Sequence, residues 1–404
     1  MLSPSTIEVV KNTVEVVREH GTAITGEFYR SMFEAHPELT NLFNMSNQIK
    51  GEQKQALASA VYAYAANYDN AALLNPILNR IAHKHASLGI QPAQYTIVGK
   101  YLLAAVKTVL GDAVTDEVAV AWDEVYWQLA CDLISREAQL YALAGCRADD
   151  GYWQSLVLEK KVKECDGVYS LYLSPAGTSR DASTALAVLP EFKPGQYLSV
   201  ALEHQGQRQI RQYSLSQLSV NGSWRITVKQ ERAGSGSDID GWLSNKLVAL
   251  EEGALLQVGQ PFGDFIDEQQ DKDLVLISGG IGITPMVALW QQRAAKRSAA
   301  RTMFIHGARS ADNIALLDDV MDAAPALSNG QLIVFAESGS RAGLDIIEGV
   351  LDLSEIELPK KANYMLCGPV EFMRVQRRFL LGCGVDAENI KYELFGPDMF
   401  AGLK

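Results

Sequence analysis

Two histidines stand two residues apart in His83-Lys84-His85, so in a helix they point to different faces. Ile77, Ile81, His85 and Leu88 follow one helical stripe, which puts His85 on an apolar face. His83 falls toward Asn79 and Ser87 on a polar side. On spacing alone such a histidine is ordinarily a core residue. Zinc would need further ligands at a useful spacing, and the sequence offers none. A metal already held by a macrocycle would need only this one. Gln53, Leu57, Val61 and Tyr64 form another helical line, polar at its start, and Tyr29 shares a face with Thr25, Met32 and Phe33. Each of these reads first as core packing, and Glu137 first as an exposed helix charge.

A second group of residues suits anionic, ring-bearing ligands. Gln209-Ile210-Arg211-Gln212-Tyr213-Ser214-Leu215 carries the pattern R-x-Y-S. In a strand Arg211 and Tyr213 share one face. The guanidinium offers a planar fork for a pyrophosphate and the phenol a flat surface for a flavin ring. Read alone, this is an amphipathic strand. Further on, Ser278-Gly279-Gly280-Ile281-Gly282-Ile283-Thr284-Pro285 joins an apolar run to a helix start. Gly280 and Gly282 would let a phosphate approach the backbone. Thr284 and Pro285 suit an N-cap and first turn, whose N–H groups favour an anion.

These residues need elements to position them. Residues 1–146 read as helices, opened by Ser3-Pro4 as cap and first turn and broken at Pro37, Gly51, Pro76, Pro92 and Gly111. Ala148-Asp149-Asp150-Gly151 reads as a linker. Residues 152–267 carry short apolar or alternating runs, among them 156–158, 169–173, 197–200 and 224–228, separated by turn formers such as Lys193-Pro194-Gly195. That predicts an antiparallel β-barrel or sandwich. Residues 270–404 carry apolar runs at 274–277, 303–305, 332–335 and 364–366, spaced as buried parallel strands alternating with helices.

The chain has 404 residues, 48% hydrophobic and 21% charged, an ordinary globular mixture long enough for several domains. Its net charge of -12 argues against nucleic acid and anionic membrane surfaces as partners. The five cysteines, widely spaced and without C-x-x-C, form no disulfide, zinc or iron–sulfur pattern. No signal peptide and no membrane-spanning run is visible, so a cytoplasmic location is expected.

Taken together, the segments resemble the flavohaemoglobin family. They are Phe28-Tyr29, His36-Pro37-Glu38-Leu39 with Phe43-Asn44, Gln53 with Leu57, His83-Lys84-His85, Gln94-Tyr95 through Gly99, and Arg136-Glu137-Ala138. The order Pro194-Gly195-Gln196-Tyr197, R-x-Y-S, glycine turn and Cys367-Gly368-Pro369 is similar to ferredoxin-NADP reductases. The resemblance implies an all-α globin with haem b, an antiparallel FAD barrel and an α/β parallel-sheet domain for NADH or NADPH. It implies His85 as the iron ligand, Phe43 packing on the porphyrin, and Tyr29, Gln53 and Leu57 lining the distal pocket. Tyr95 and Glu137 would tune His85, since a carboxylate accepting the imidazole N–H strengthens the imidazole as a donor.

By the same resemblance Tyr197, Arg211, Gln212, Tyr213, Ser214 and Lys229 hold FAD. Gly280, Gly282, Thr284, Pro285, Cys367, Gly368 and Pro369 hold the nicotinamide nucleotide. Phe395 covers the flavin, and Lys84 and Glu393 lie near the flavin–haem gap. His306 also matches the family. Where the family carries G-x-V-S after Lys229, this chain has Asp238 and Asp240 among Gly234, Gly236 and Ser237, an unfavourable pairing with a diphosphate. Ser338 and Arg341 read as a solvated loop, which leaves NADH against NADPH open. The implied activity is nitric oxide dioxygenation by a monomer. Its partners would be O2, nitric oxide and NAD(P)H, with a lipid as an optional occupant of the distal pocket. The rival readings are a gas sensor or oxygen store, and a hydroperoxide or ferric reductase.

Overall fold

A computed structural model describes residues 2–43, 51–149, 151–176, 189–204, 206–218, 222–231 and 242–396, with the backbone alone at Glu52 and His204. Its chain forms two units. The first comprises Met1–Trp153, Ala201–Arg211 and Gly396–Lys404, and the second Gln154–Val200 and Gln212–Phe395.

The first unit is built from the helices Pro4–Glu19, Gly21–Ala35, Glu52–Ala66, Ala71–Ala86, Pro92–Leu110 and Asp116–Leu143. Ser3 caps the first of them with its side chain, and Pro4 occupies the first turn, where a missing N–H costs nothing. Gly51 at φ 75° and Gly111 at φ 55° end segments in left-handed backbone. Pro76 departs from expectation. It lies inside the helix Ala71–Ala86 and breaks nothing. It sits in the second turn, and tertiary packing of Leu74 and Leu78 outweighs the lost hydrogen bond. The core joins Val10, Ile24, Phe28, Met32, Leu78, Leu102, Trp122 and Val125.

In the second unit lie two sheets. The first takes the order β4-β3-β6-β1-β2-β5, with β1 at Gln154–Cys165, β2 at Val168–Pro175, β3 at Tyr197–His204, β4 at Gln207–Ser214, β5 at Trp224–Lys229 and β6 at Leu255–Val258. An antiparallel bridge between Leu215, just past β4, and Ile226 of β5 joins the two outer strands and closes the sheet into a barrel.

The second sheet is parallel throughout, in the order β10-β9-β8-β7-β11-β12. Its strands are β7 at Leu274–Gly279, β8 at Thr302–Ala308, β9 at Gly330–Ala336, β10 at Ile346–Glu348, β11 at Asn363–Cys367 and β12 at Ile390–Glu393. Every residue of β7 is buried, as a central parallel strand requires. The chain runs outward from β7 to β10 on one side, then returns to β11 and β12 on the other. The order therefore reverses between β7 and β11, where sheets of this kind open a ligand crevice at the strands' carboxyl ends. Val168 of the barrel and Phe265 beyond it belong to the same apolar core as Leu276, Trp290 and Leu317, which is why barrel and parallel sheet form one unit.

No described helix is long and apolar enough to cross a membrane.

Candidate functional site

The stripe Ile77, Ile81, His85 and Leu88 is half-buried in the folded chain, one residue round from the fully packed line Leu74, Leu78, Ala82 and Ala86. Sequence periodicity thus identifies a face that the protein itself only partly covers. The Nδ1 atom of His85 lies 2.9 Å from the Tyr95 hydroxyl and 2.9 Å from Oε1 of Glu137. Tyr95 in turn donates to the same Oε1 at 2.5 Å. Glu137 is 2% exposed, so it is a buried acceptor and not the surface charge its helix position suggests. Burial pushes the Tyr95 phenol far above its ordinary pKa, with the Glu137 charge adding to the effect, so the phenol keeps its proton. Nδ1 facing a carboxylate must carry the ring proton, which leaves Nε2 as the basic nitrogen. Among the described residues no cluster of three acidic, histidine or cysteine side chains could hold a bare metal ion. One oriented imidazole on a half-open apolar face fits a metal whose remaining ligands come with it, as in haem.

Three further phenols, unforeseen in the sequence, hold the turn between His85 and Tyr95. Tyr152 donates to the Ser87 carbonyl, Tyr141 to the Ile90 carbonyl at 2.9 Å, and Tyr126 to the Tyr95 carbonyl. Gly99 makes the last contact feasible, since a Cβ there would lie 2.4 Å from the Tyr126 ring. Tyr126, Glu137 and Tyr141 are eleven and four residues apart along one helix, a shared-face spacing that could have flagged them. On the other side Tyr29, 5% exposed, stacks on Phe33 at 5.7 Å and meets Phe43 edge-on at 5.7 Å. Leu57 packs against the same core, and Gln53 is half-buried on the helix Glu52–Ala66.

The R-x-Y-S residues occupy β4 as expected. Arg211 Nη1 donates to the Ile210 carbonyl at 2.8 Å, and Gln212 donates to Ser199 at 3.1 Å. The Ser214 hydroxyl is buried without a hydrogen-bond partner. Such a group is costly unless a ligand satisfies it, so the strand fits a bound flavin nucleotide. Tyr197 is 8% exposed, and Gly263 must lack a side chain because a Cβ would lie 3.1 Å from its ring. In Pro194-Gly195-Gln196-Tyr197, Gly195 adopts φ 99° with its Cβ position 1.8 Å from the Phe265 carbonyl, an approach only glycine permits. Lys229 is exposed at the end of β5. The loop of Gly234, Gly236, Ser237, Asp238 and Asp240 lies outside the described residues.

At the sheet's switch point the two glycine turns touch. A Cβ on Gly282 would lie 2.2 Å from the Cys367 carbonyl oxygen and 2.7 Å from the Gly368 nitrogen. Gly280 has φ 54° and open space beside it. Thr284 differs from expectation. The helix Ile283–Ala295 is capped at Gly282, and Thr284 sits inside its first turn, buried, donating to the Ile281 carbonyl at 3.1 Å. A short 3-10 turn over Gly280–Gly282 starts the helix earlier than the Thr-Pro pair suggests. Pro285 lies in the same first turn, and Pro369 caps the helix Val370–Gly382. Cys367 is fully buried, and burial, then the charge of Glu393 on the neighbouring strand, drives its thiol pKa up, so the thiol stays protonated. Lys84 and Glu393 are half-buried and Phe395 is 52% exposed. Arg341 is paired with Asp318 at 2.5 Å and Ser338 donates to the Arg309 carbonyl at 3.1 Å. His306, 1% exposed, lies 2.8 Å from the Ser278 hydroxyl in the paired strand.

Family models match three stretches: Globin over residues 26–133, Oxidoreductase FAD-binding domain over 182–266 and Oxidoreductase NAD-binding domain over 276–378. The chain is 42% identical to a flavohemoprotein of Rhizobium meliloti, covering 99% of this chain and 100% of that one. It is 39% identical to a flavohemoprotein of Bacillus subtilis, covering 99% and 98%. Its fold is similar to the crystal structure of a Malassezia yamatoensis flavohemoglobin with bound FAD and heme, at a TM-score of 0.86 and 32% identity over 98% of this chain and 100% of that one. A second solved structure, the FAD/NAD binding domain of a nitric oxide dioxygenase from Vibrio cholerae, matches 60% of this chain and 99% of its own at a TM-score of 0.53 and 31% identity. The helical site around His85, the barrel and the parallel sheet thus recur together, in this order and end to end, and the chain belongs to the flavohemoprotein family.

Proposed function

We propose that this chain is an NAD(P)H-dependent nitric oxide dioxygenase of the cytoplasm, working through three domains at 1–146, 152–267 and 270–404. When bound, haem b and FAD supply the one- and two-electron chemistry that links NAD(P)H oxidation to conversion of nitric oxide and O2 into nitrate. His85 is the iron ligand. Glu137 holds the proton on Nδ1 and fixes the ring plane, while the protonated Tyr95 braces Glu137 from the other side. Phe43 and Leu57 give the porphyrin apolar walls. Tyr29 and Gln53 are the polar groups offered to the gas ligands on the far face.

In the second unit Tyr197, Tyr213 and Arg211 present ring and fork to the flavin, with Gln212, Ser214 and Lys229 beside them. Gly280, Gly282, Thr284 and Pro285, with Cys367, Gly368 and Pro369, form the crevice for the nicotinamide nucleotide, and Phe395 shields the flavin until it arrives.

The observation that carries this reading is the buried Glu137 carboxylate 2.9 Å from Nδ1 of His85. A charged acceptor there makes the imidazole a strong electron donor, which suits oxygen activation and not storage. The test reduces the purified protein anaerobically with NADH or NADPH, then admits O2 and then nitric oxide, following absorbance and nitrate. Nitrate formed in step with nitric oxide loss is expected. A stable oxygenated form without nitrate would point to a sensor or store.

A further inference from the structure

Arg225 of β5 is 4% exposed, and its guanidinium meets partners on two sides. Nη1 lies 3.1 Å from each carboxylate oxygen of Asp319. Nη2 donates to the Ser216 carbonyl at 2.6 Å and Nε to the Ser216 hydroxyl at 3.2 Å. Ser216 follows Ser214, the last residue of the R-x-Y-S motif, by two positions. Its own N–H donates to the Arg225 carbonyl at 2.9 Å, and its hydroxyl joins Thr227 at 2.8 Å, which in turn joins Ser170 at 2.9 Å. One side chain therefore grips the segment just past the flavin strand.

Asp319 comes from the opposite direction, on the helix Leu317–Ala323 between β8 and β9 of the parallel sheet. That helix starts from Leu316 at φ 59°, a left-handed backbone that strains a residue with a Cβ and persists only where its surroundings fix it. Leu316 is 2% exposed in the shared core. The strained turn aims the helix so that Asp319 reaches Arg225.

Apolar contacts such as Val168 and Phe265 against Leu317 and Val320 hold barrel and sheet together. They are non-directional and tolerate sliding. A planar guanidinium held by a carboxylate and a backbone carbonyl at once is directional and pre-organised. We propose that the Arg225–Asp319 pair is a positioning device that sets the angle of the barrel on the parallel sheet, and with it the approach of the nicotinamide ring to the flavin. The second half rests on the flavin and nucleotide reading above. Hydride transfer tolerates little misplacement, so a loosened angle should slow the transfer more than it weakens nucleotide binding.

The test compares the holoprotein with Asp319→Asn, Asp319→Glu and, as a control that cuts a different barrel-to-sheet hydrogen bond, Asn313→Ala, whose side chain accepts from the Asp166 N–H at 2.8 Å. Anaerobic flavin reduction by NADH and by NADPH is followed at saturating nucleotide. Nucleotide Kd, FAD content and amide exchange are measured in parallel. In Asp319→Asn the limiting rate should fall roughly tenfold or more, while Kd stays within about twofold and FAD remains bound. Exchange should rise together in the Ser214–Ser216 segment and in Leu316–Val320. Asp319→Glu should recover the rate, and Asn313→Ala should leave it unchanged. A limiting rate in Asp319→Asn within about twofold of wild type, or exchange rising in the helix alone, would overturn the proposal. Wild-type protein that neither nucleotide reduces would instead sink the flavin and nucleotide reading, and the exchange comparison would still decide whether the pair couples the two segments.

Discussion

The Tyr95 phenol donates to Glu137 at 2.5 Å, and the same carboxylate oxygen lies 2.9 Å from Nδ1 of His85. The two residues are 42 positions apart on different helices, and the Tyr95 side depends on the carbonyl contact from Tyr126. A small change in any of these should reach the metal ligand.

Glu137→Gln keeps the shape and removes the charge. Haem should still bind, because His85 is untouched. The reduction potential should rise, since a negative charge beside the ligand no longer stabilises the oxidised metal. Turnover should fall roughly 10- to 100-fold, the usual cost of losing such a partner. A redox titration decides the matter, and a potential equal to wild type would separate Glu137 from the metal.

Tyr29→Phe removes the hydroxyl from the buried aromatic cluster with Phe33 and Phe43 but leaves the packing. A hydrogen bond to a charged or strongly polarised partner contributes about 1.5–3 kcal/mol. O2 release from the reduced protein should therefore speed up roughly 10- to 150-fold. Flash photolysis or stopped-flow displacement measures it; a rate within about twofold of wild type would remove Tyr29 from the gas site.

Gly99→Ala places a methyl 2.4 Å from the Tyr126 ring. The ring must move and its hydrogen bond to the Tyr95 carbonyl must break. Overpacking of this kind costs about 1–3 kcal/mol. Lower stability and an altered haem absorbance should appear together. Normal stability would mean that the helices yield around the methyl without strain.

Gly282→Ala forces apart the two turns that meet at Cys367 and Gly368. NADH and NADPH should bind roughly 10- to 100-fold more weakly, as a displacement of about one ångström implies. The haem spectrum should be unchanged, because the alteration lies in the other unit. Calorimetric titration with each nucleotide checks the first point and absorbance the second.

His306 is buried, and loss of solvation pushes its pKa from 6.5 down to about 4. Between those values the unfolded chain binds the proton and the folded chain does not. Stability from this group is therefore complete above pH 6.5 and is lost as the pH falls toward 4. The full loss is on the order of 3 kcal/mol. Urea unfolding across this window should show the slope, and His306→Gln should flatten it. An equal slope in the variant would assign the acid sensitivity to other groups.

Much of this architecture was legible in the residues. Helical spacing separated His85 from His83, and short apolar runs located β1, β2, β3, β5, β7, β8, β9 and β11. Left-handed turns marked glycines where no other residue would serve. These are local properties, set by backbone sterics and the period of side-chain direction. The edge strands β10 and β12 escaped notice because they are short and half-exposed, without an apolar run. Thr284 and Pro76 misled for a related reason, since neighbouring turns and packing overrode their local preference.

What the tertiary structure alone decided is which distant faces meet. Residue type could not distinguish a solvated Glu137 from one buried against His85 and Tyr95, because the difference is the dielectric around the carboxylate. Nor could it reveal that Tyr126, Tyr141 and Tyr152 converge on one turn, or that Arg225 reaches Asp319 across 94 positions. Charge pairing and phenol-to-carbonyl bonds carry no periodic signature. They exist only once helices and sheets have packed, and in this chain they are the contacts that orient the groups the sequence motifs supply.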